Sequence, residues 1–224
     1  MKSIGITISA RTLSHRLPGK VFLPLANLPS IIYLLNRISF NSKYDVILAT
    51  TNLESDDFLA KTVESHGYRV FRGSGKNVLD RILSVSKENN WHYVVRITGD
   101  CPLVSNEFIE DCLKQVDNLE NWDLVTTKNS MPQGIDLEII NVAALDKIRS
   151  KCTESDNEHV TSYFYRNESN FKIKLLVSSY TNNFERAFTL DVVEDFIFLA
   201  NLTSMAGPLA PVKDLLAIAK LITN

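Results

Sequence analysis

Ile4-Gly-Ile-Thr-Ile-Ser-Ala-Arg-Thr-Leu-Ser-His-Arg-Leu-Pro-Gly-Lys20 begins as a short apolar run and continues as a basic stretch. Ile4–Ser9 has the length and character of a buried strand. Ala10–Lys20 contains Pro18-Gly19 and shows no helical period, so it reads as a loop. The loop carries neither G-x-x-x-x-G-K-[ST] nor G-x-G-x-x-G, which disfavours the two commonest glycine-rich phosphate-binding folds. After it, Pro29–Ser39 reads as a helix with Pro near its start and Ile31, Ile32, Leu34, Leu35 and Ile38 buried. Strand, loop and helix in that order are the first unit of an α/β sheet.

The alternation continues outward from this unit. Asp45–Thr51 reads as a strand, and Asn52–His66 as a helix with Glu54, Asp56 and Asp57 in its first turn and Gly67 at its end. Tyr68–Phe71, His92–Thr98 and Asp123–Thr127 read as strands, and Asn77–Glu88 and Asn106–Leu119 as helices. Such alternation implies right-handed crossovers and a mainly parallel sheet covered on both faces. Beyond about residue 130 it weakens. Ile135–Asn141, Lys172–Ser178 and Arg186–Leu190 look like strands, and Ala143–Cys152, Glu158–Asn167, Val193–Met205 and Val212–Ile222 like helices. This half is expected to add antiparallel strands that complete a ligand pocket. With no internal repeat or linker, residues 1–224 read as one domain with halves of about 1–128 and 129–224.

Composition excludes more than it selects. The 224 residues are 45% hydrophobic and 22% charged, with a formal net charge of −2. Nothing global points to nucleic acid or an anionic membrane. No apolar stretch reaches membrane-spanning length, and Ile4–Ile8 is too short for the core of a signal peptide. Cys101, Cys112 and Cys152 are odd in number and lack paired spacing, so a reducing, cytoplasmic setting is expected. Residues 1–44, however, contain no acid and carry Lys2, Arg11, Arg16, Lys20, Arg37 and Lys43.

In an open α/β sheet, ligands bind outside the carboxyl ends of the strands, so the loops there hold the candidates. Arg11, Arg16 and Lys20 would converge on a polyphosphate, or else are the solvated charges of a surface loop. In Thr98-Gly99-Asp100-Cys101-Pro102, Asp100 presents a carboxylate at the sheet edge. Mg²⁺ is typically held by one or two carboxylates plus phosphate oxygens and water. A lone Asp there more often caps the next helix. Its candidate partner, Asp191, also follows an expected strand, and there the reading as a mere helix N-cap is stronger than at Asp100. Arg72 and Gly73-Ser74-Gly75 would approach a base or ribose closely, or form a flexible turn. Glu158 and His159 suit a sugar hydroxyl or carboxylate, or a helix start. No zinc spacing and no Ser/His/Asp order is present. Phe164, Phe196 and Phe198 suit the core or a homodimer contact, and core is the commoner use.

Together these motifs resemble the cytidylyltransferase family that includes CMP-Kdo synthetase and acylneuraminate cytidylyltransferase, and especially its spore-coat polysaccharide branch. The resemblance rests on Ala-Arg-x-x-Ser-x-Arg-Leu-Pro-Gly-Lys-Val (10–21), Phe-Arg-Gly-Ser (71–74), Val-Leu-Asp-Arg (78–81), Val-Arg-Ile-Thr-Gly-Asp-Cys-Pro-Leu (95–103), Gly-Ile-Asp-Leu-Glu (134–138), Glu-His-Val-Thr (158–161) and Thr-Leu-Asp (189–191). It implies a nucleotide-diphospho-sugar transferase fold, Rossmann-like, with three α/β/α layers and a mainly parallel sheet. It further implies transfer of CMP from CTP to an acidic sugar. Catalysis would fall to Arg11, Lys20 and Asp100, and nucleotide binding to Ala10, Arg11, Arg16, Lys20, Arg72, Gly73 and Ser74. Asp100 and Asp191 would bind Mg²⁺, and Asp136, Glu138, Glu158 and His159 would face the acceptor. Two positions depart from the family pattern: Ser9 replaces a Gln or Pro, and Asn27 a Gly, although Asn tolerates a left-handed backbone. Another nucleoside triphosphate with a sugar phosphate, or a non-catalytic nucleotide-binding subunit, stays open at this level.

Overall fold

Apolar residues alternate sides along the strands, and that alternation decides the layers. In the computed structural model, which describes residues 2–177, 184 and 186–223, the strands are β1 (Ile4–Ser9), β2 (Pro24–Leu25), β3 (Leu28–Pro29), β4 (Asp45–Thr51), β5 (Arg69–Gly73), β6 (Tyr93–Thr98), β7 (Leu124–Thr126), β8 (Glu138–Asn141) and β9 (Ile173–Leu175). The helices are α1 (Ser30–Ser39), α2 (Asp57–Ser65), α3 (Val78–Glu88), α4 (Asn106–Lys114), α5 (Val142–Ile148), α6 (Glu154–His159), α7 (Ser162–Arg166), α8 (Val193–Ala206) and α9 (Val212–Thr223). Ile6, Ile8, Leu48, Tyr93, Val95, Ile97 and Ile139 join one core with buried residues of α1, α2, α4, α8 and α9. Ile47, Val94, Leu124 and Ile140 face the other, under α3, α5 and α7. The outcome is the expected three-layer α/β/α sandwich.

Among the described residues the main sheet runs β5-β4-β1-β6-β8-β7-β9. β5, β4, β1 and β6 are parallel, β8 is antiparallel to both β6 and β7, and β9 pairs parallel to β7. β1 lies between β4 and β6, so the chain leaves it in one direction and returns on its other side. That reversal opens a crevice between the loops that follow β1 and β6. No helix among the described residues is long and apolar enough to cross a membrane.

Several expected elements are corrected. The helix expected from residue 52 opens with a 3-10 turn, Glu54–Asp56, before α2, and the helix expected to reach residue 119 stops at Lys114. Residues 186–190 form no strand: the Phe188 and Leu190 amides donate to Gln133 O (2.7 Å) and Asp100 O (2.8 Å), which ties two loops together. Gly134, at φ +91°, permits the tie, because a Cβ there would lie 2.5 Å from the Phe188 carbonyl carbon. The helix expected over 158–167 is two helices, broken at Val160. The strand expected over 172–178 is β9, and its expected end at Ser178 lies outside the described residues. Between β2 and β3, Ala26 and Asn27 are both left-handed (φ 46° and 65°), as a two-residue hairpin loop demands, so Asn27 meets the requirement for which the family uses Gly.

Candidate active site

The chain leaves β1 at Ser9 and enters the basic loop. Gly99, after β6, makes room for it, since a Cβ at Gly99 would lie 2.6 Å from Ala10 Cβ. Ala10, Arg11, Arg16, Lys20 and Arg81 line a cavity of about 360 Å³ together with Asp100 and Asp191. With Arg96, five cations against three carboxylates, Asp100, Glu158 and Asp191, surround this small cavity, an arrangement that suits an anion. Burial, and then the charge of Arg11, lowers the pKa of Arg81, which a bound anion would relieve.

Lys20 links the two candidate metal carboxylates. Its Nζ donates to Asp100 Oδ2 and Asp191 Oδ1, both at 2.9 Å, and Arg16 adds a 3.0 Å ion pair to Asp191. Burial alone would lower the Lys20 pKa, but the charges and hydrogen bonds of Asp100 and Asp191 outweigh it and hold the ammonium above its ordinary value. Burial would likewise raise Asp100, and the charge of Lys20 with hydrogen bonds from Thr98 and Lys20 keeps it below the usual carboxylate range. Neither Asp caps a helix. Ser105 accepts from Phe108 N at the start of α4, and Asp195 accepts from the amides of Asp191 and Val192 before α8. Both carboxylates are therefore left to converge on one cation.

A second cavity, of about 860 Å³, adjoins the first and shares Arg96, Thr98, Asp100, His159 and Asp191 with it. Asp136, Glu138, Lys128, Tyr165 and Arg186 also line it. Glu138 faces Arg96 across the β6–β8 register and accepts from Arg96 (2.9 Å), Thr161 (2.8 Å) and Tyr165 (2.8 Å). Burial first, then the Glu138 charge, raises the Tyr165 hydroxyl pKa, so Tyr165 remains a donor. Burial also raises Asp136, against a hydrogen bond from Gly134 N.

His159 reaches both cavities through a strained turn. Val160 adopts φ 39°, ψ −55°, and Thr161 N donates to His159 O at 2.5 Å. Positive φ in a β-branched residue costs on the order of 1–3 kcal/mol and persists only where the surroundings over-determine it. Buried Asp156 does so here: it accepts two hydrogen bonds from Arg166, one from Ser162 and one from Thr153 N. Glu158 is not at a helix start but on the last turn of α6, where it pairs with Arg11 at 3.0 Å.

Arg72, Gly73 and Ser74 line neither cavity. Arg72 donates to Thr51 O and Leu53 O and pairs with Asp57, the Gly73 carbonyl accepts from Asn52 N, and the Ser74 carbonyl accepts from Arg81. The remaining expected site residues are gathered along the two cavities. Sequence reading passed over Arg81, Arg96, Lys128, Tyr165 and Arg186 as site groups. The first two lie inside quoted motifs, on the inward faces of α3 and β6, and those motifs were the available signal. Lys128 stands on an irregular segment that no periodicity marks, and Arg186 at the start of a run that alternates like a strand but forms none.

A family model described as cytidylyltransferase matches residues 5–213. The spore coat polysaccharide biosynthesis protein SpsF of Bacillus subtilis is 32% identical, over 92% of this chain and 89% of that protein. The 8-amino-3,8-dideoxy-manno-octulosonate cytidylyltransferase of Shewanella frigidimarina is 26% identical, over 83% of this chain and 77% of that one. Among solved structures, a cytidylyltransferase of Leptospira borgpetersenii superposes with a TM-score of 0.93 at 28% identity, covering 100% of this chain and 96% of that one.

Proposed function

The chain belongs to the cytidylyltransferase family, and from that premise we propose that it transfers CMP from CTP to the hydroxyl of an acidic 2-keto sugar for surface polysaccharide biosynthesis. The observation that carries the acidic acceptor is the setting of Lys128 and Arg186. Both line the larger cavity, and each is seated on an aromatic ring: Lys128 Nζ is 4.3 Å from the Tyr165 centroid, and the Arg186 guanidinium 4.6 Å from that of Phe198. Among the described residues neither has a carboxylate within ion-pair distance. Although Asp100, Asp136, Glu138 and Asp191 also line the pocket, two cations that form no ion pair among the described residues favour an anionic group of the guest at their position.

The acceptor hydroxyl oxygen attacks the α-phosphorus of CTP in line, its proton passes to solvent, the α–β bridging P–O bond breaks, and pyrophosphate leaves. Arg11, Arg16 and Arg81 hold the phosphates, and Lys20 offsets the charge that grows on the α-phosphate. Asp136 and His159 receive acceptor hydroxyls, while Glu138 keeps Arg96, Thr161 and Tyr165 in place around them. Asp100 and Asp191 would hold Mg²⁺: their oxygens already converge on a single cation, the Lys20 ammonium, and hard oxygen donors of this kind suit that ion. Bound there, Mg²⁺ would neutralise charge on the phosphate oxygens.

The test is pyrophosphate release from CTP and Mg²⁺ across a panel of 2-keto sugar acids, including 3-deoxy-manno-octulosonate and its 8-amino analogue, beside neutral sugars and sugar phosphates. Turnover with sugar acids is expected. Turnover confined to neutral sugars or sugar phosphates would sink the acceptor assignment. A thermal-shift panel of CTP, UTP, GTP and ATP is expected to favour CTP.

A further inference from the structure

Asp56 has no part in the chemistry just described, and the sequence reads it as an ordinary acid near a helix start. The structure puts it elsewhere. Its carboxylate is buried, 1% exposed, at the end of the 3-10 turn before α2. Oδ1 accepts from the backbone amide of Thr12 at 2.6 Å, and Oδ2 accepts from the Thr51 hydroxyl. Among the described residues no cation lies within ion-pair distance of it. Taking a carboxylate out of water for one hydroxyl, one amide and the more distant charge of Arg81 is costly.

The amide it grips is the fixed point of the basic loop. Thr12 follows Arg11 directly, and the Thr12 carbonyl accepts from Gly19 N at 3.0 Å, one residue before Lys20. A single hydrogen-bonded chain, Asp56–Thr12–Gly19, therefore spans the loop and sets both ends at once. Two of the cations that line the nucleotide cavity, Arg11 and Lys20, hang one residue outside its two ends. We infer that Asp56 is a positioning residue, whose grip on the Thr12 amide sets the register of the phosphate-binding loop and thereby nucleotide affinity. The inference rests on the nucleotide reading of this cavity.

Two measurements on the full chain test it. The first is hydrogen exchange, which needs no nucleotide. In Asp56→Ala the hydrogen-bonded loop amides of Thr12, Gly19 and Lys20 are expected to exchange at least about tenfold faster, with β1 and β6 unchanged. Unchanged exchange in the loop overturns the inference. The second is the Kd for CTP with Mg²⁺ by calorimetry. Asp56→Ala is expected to weaken binding about tenfold or more, the loss typical of a hydrogen bond to a charged group. Asp56→Asn, which keeps an oxygen for Thr12 N, is expected to return to within about threefold of wild type. Thr51→Val removes the hydroxyl that orients the carboxylate without touching the loop, and is expected to weaken CTP binding by a smaller factor. It keeps the question answerable if Asp56→Ala does not fold. Leu215→Ala, at a fully buried core residue of α9 that lines neither cavity, serves as a control for lost stability alone. Equal weakening by Leu215→Ala, or an unchanged Kd in both Asp56→Ala and Thr51→Val, overturns the inference. If the wild-type chain bound no CTP, the nucleotide reading itself would fall, and the exchange experiment would still judge the tether.

Discussion

The proposed phosphate side and the proposed acceptor side of this site are built differently. On the phosphate side, Ala10, Arg11, Arg16 and Lys20 come from one continuous loop after a parallel strand, and two backbone bonds at Thr12 fix it. On the acceptor side, Lys128, Asp136, Arg186 and Asp191 come from separate irregular segments and His159 from the end of α6, with loop-to-loop bonds such as Phe188 N to Gln133 O. Phosphate presents the same charge and shape whatever the acceptor, so one compact loop, joined by Arg81 of α3, can serve it. A sugar acid presents groups spaced over a larger volume, and segments free of ladder bonds can be set around them one by one. The two sides meet at Asp100 and Asp191, which line both cavities.

The largest effect is expected at that meeting point. Asp191→Ala should lower the rate of pyrophosphate release by about 10²–10³-fold, as loss of a group that organises transition-state charge does. Retention of activity within a few-fold would mean that the two sides do not share this carboxylate. Next come the acceptor cations. Lys128→Met and Arg186→Met should each raise the KM for the sugar acid by about 10–100-fold, with the Kd for CTP unchanged. A matching loss of CTP affinity would erase the division between the sides.

A third, smaller effect concerns the anchor of the strained turn that carries His159. Hydrogen bonds from Arg166, with those from Ser162 and Thr153, hold the Asp156 pKa well below the usual carboxylate range. A depressed pKa adds stability that is present in full above the unfolded value, about 4, and is lost as the pH falls below it toward the folded value. Asp156→Asn should therefore be less stable than wild type at pH 7, with the gap closing below about pH 4 in urea titrations. A gap independent of pH would remove the charge from the explanation. Smallest of all is Asn27→Gly, at a residue that lines neither cavity. It relieves a left-handed Asn in the β2–β3 hairpin and should raise stability by about 0.5 kcal/mol, leaving turnover unaltered.

Much of the phosphate side was legible because local chemistry and local order coincide there. Strand β1 and the basic loop are contiguous, and the loop's charges have no local acid to neutralise them. Strand β6 and Asp100 could be read for the same reason. Less was legible where a residue's role depends on what packs against it. Asp56 reads as a first-turn acid until its burial against Thr12 and Thr51 is seen, and Arg186–Leu190 alternates like a strand but finds no ladder partner. Val160 breaks an expected helix with a conformation that no propensity anticipates.

The order of strands, the apolar faces that cover them, the basic loop and the two acids after strands or strand-like runs follow from the sequence itself, because hydrophobic period and turn chemistry act over a few residues. Bringing Asp191 against Asp100 across 91 residues, seating Lys128 and Arg186 on aromatic rings and burying Asp56 under the loop belong to the tertiary structure alone. Those contacts join segments whose separation along the chain carries no local signal, and only the packing of the whole sheet decides which side chains end up within hydrogen-bonding reach.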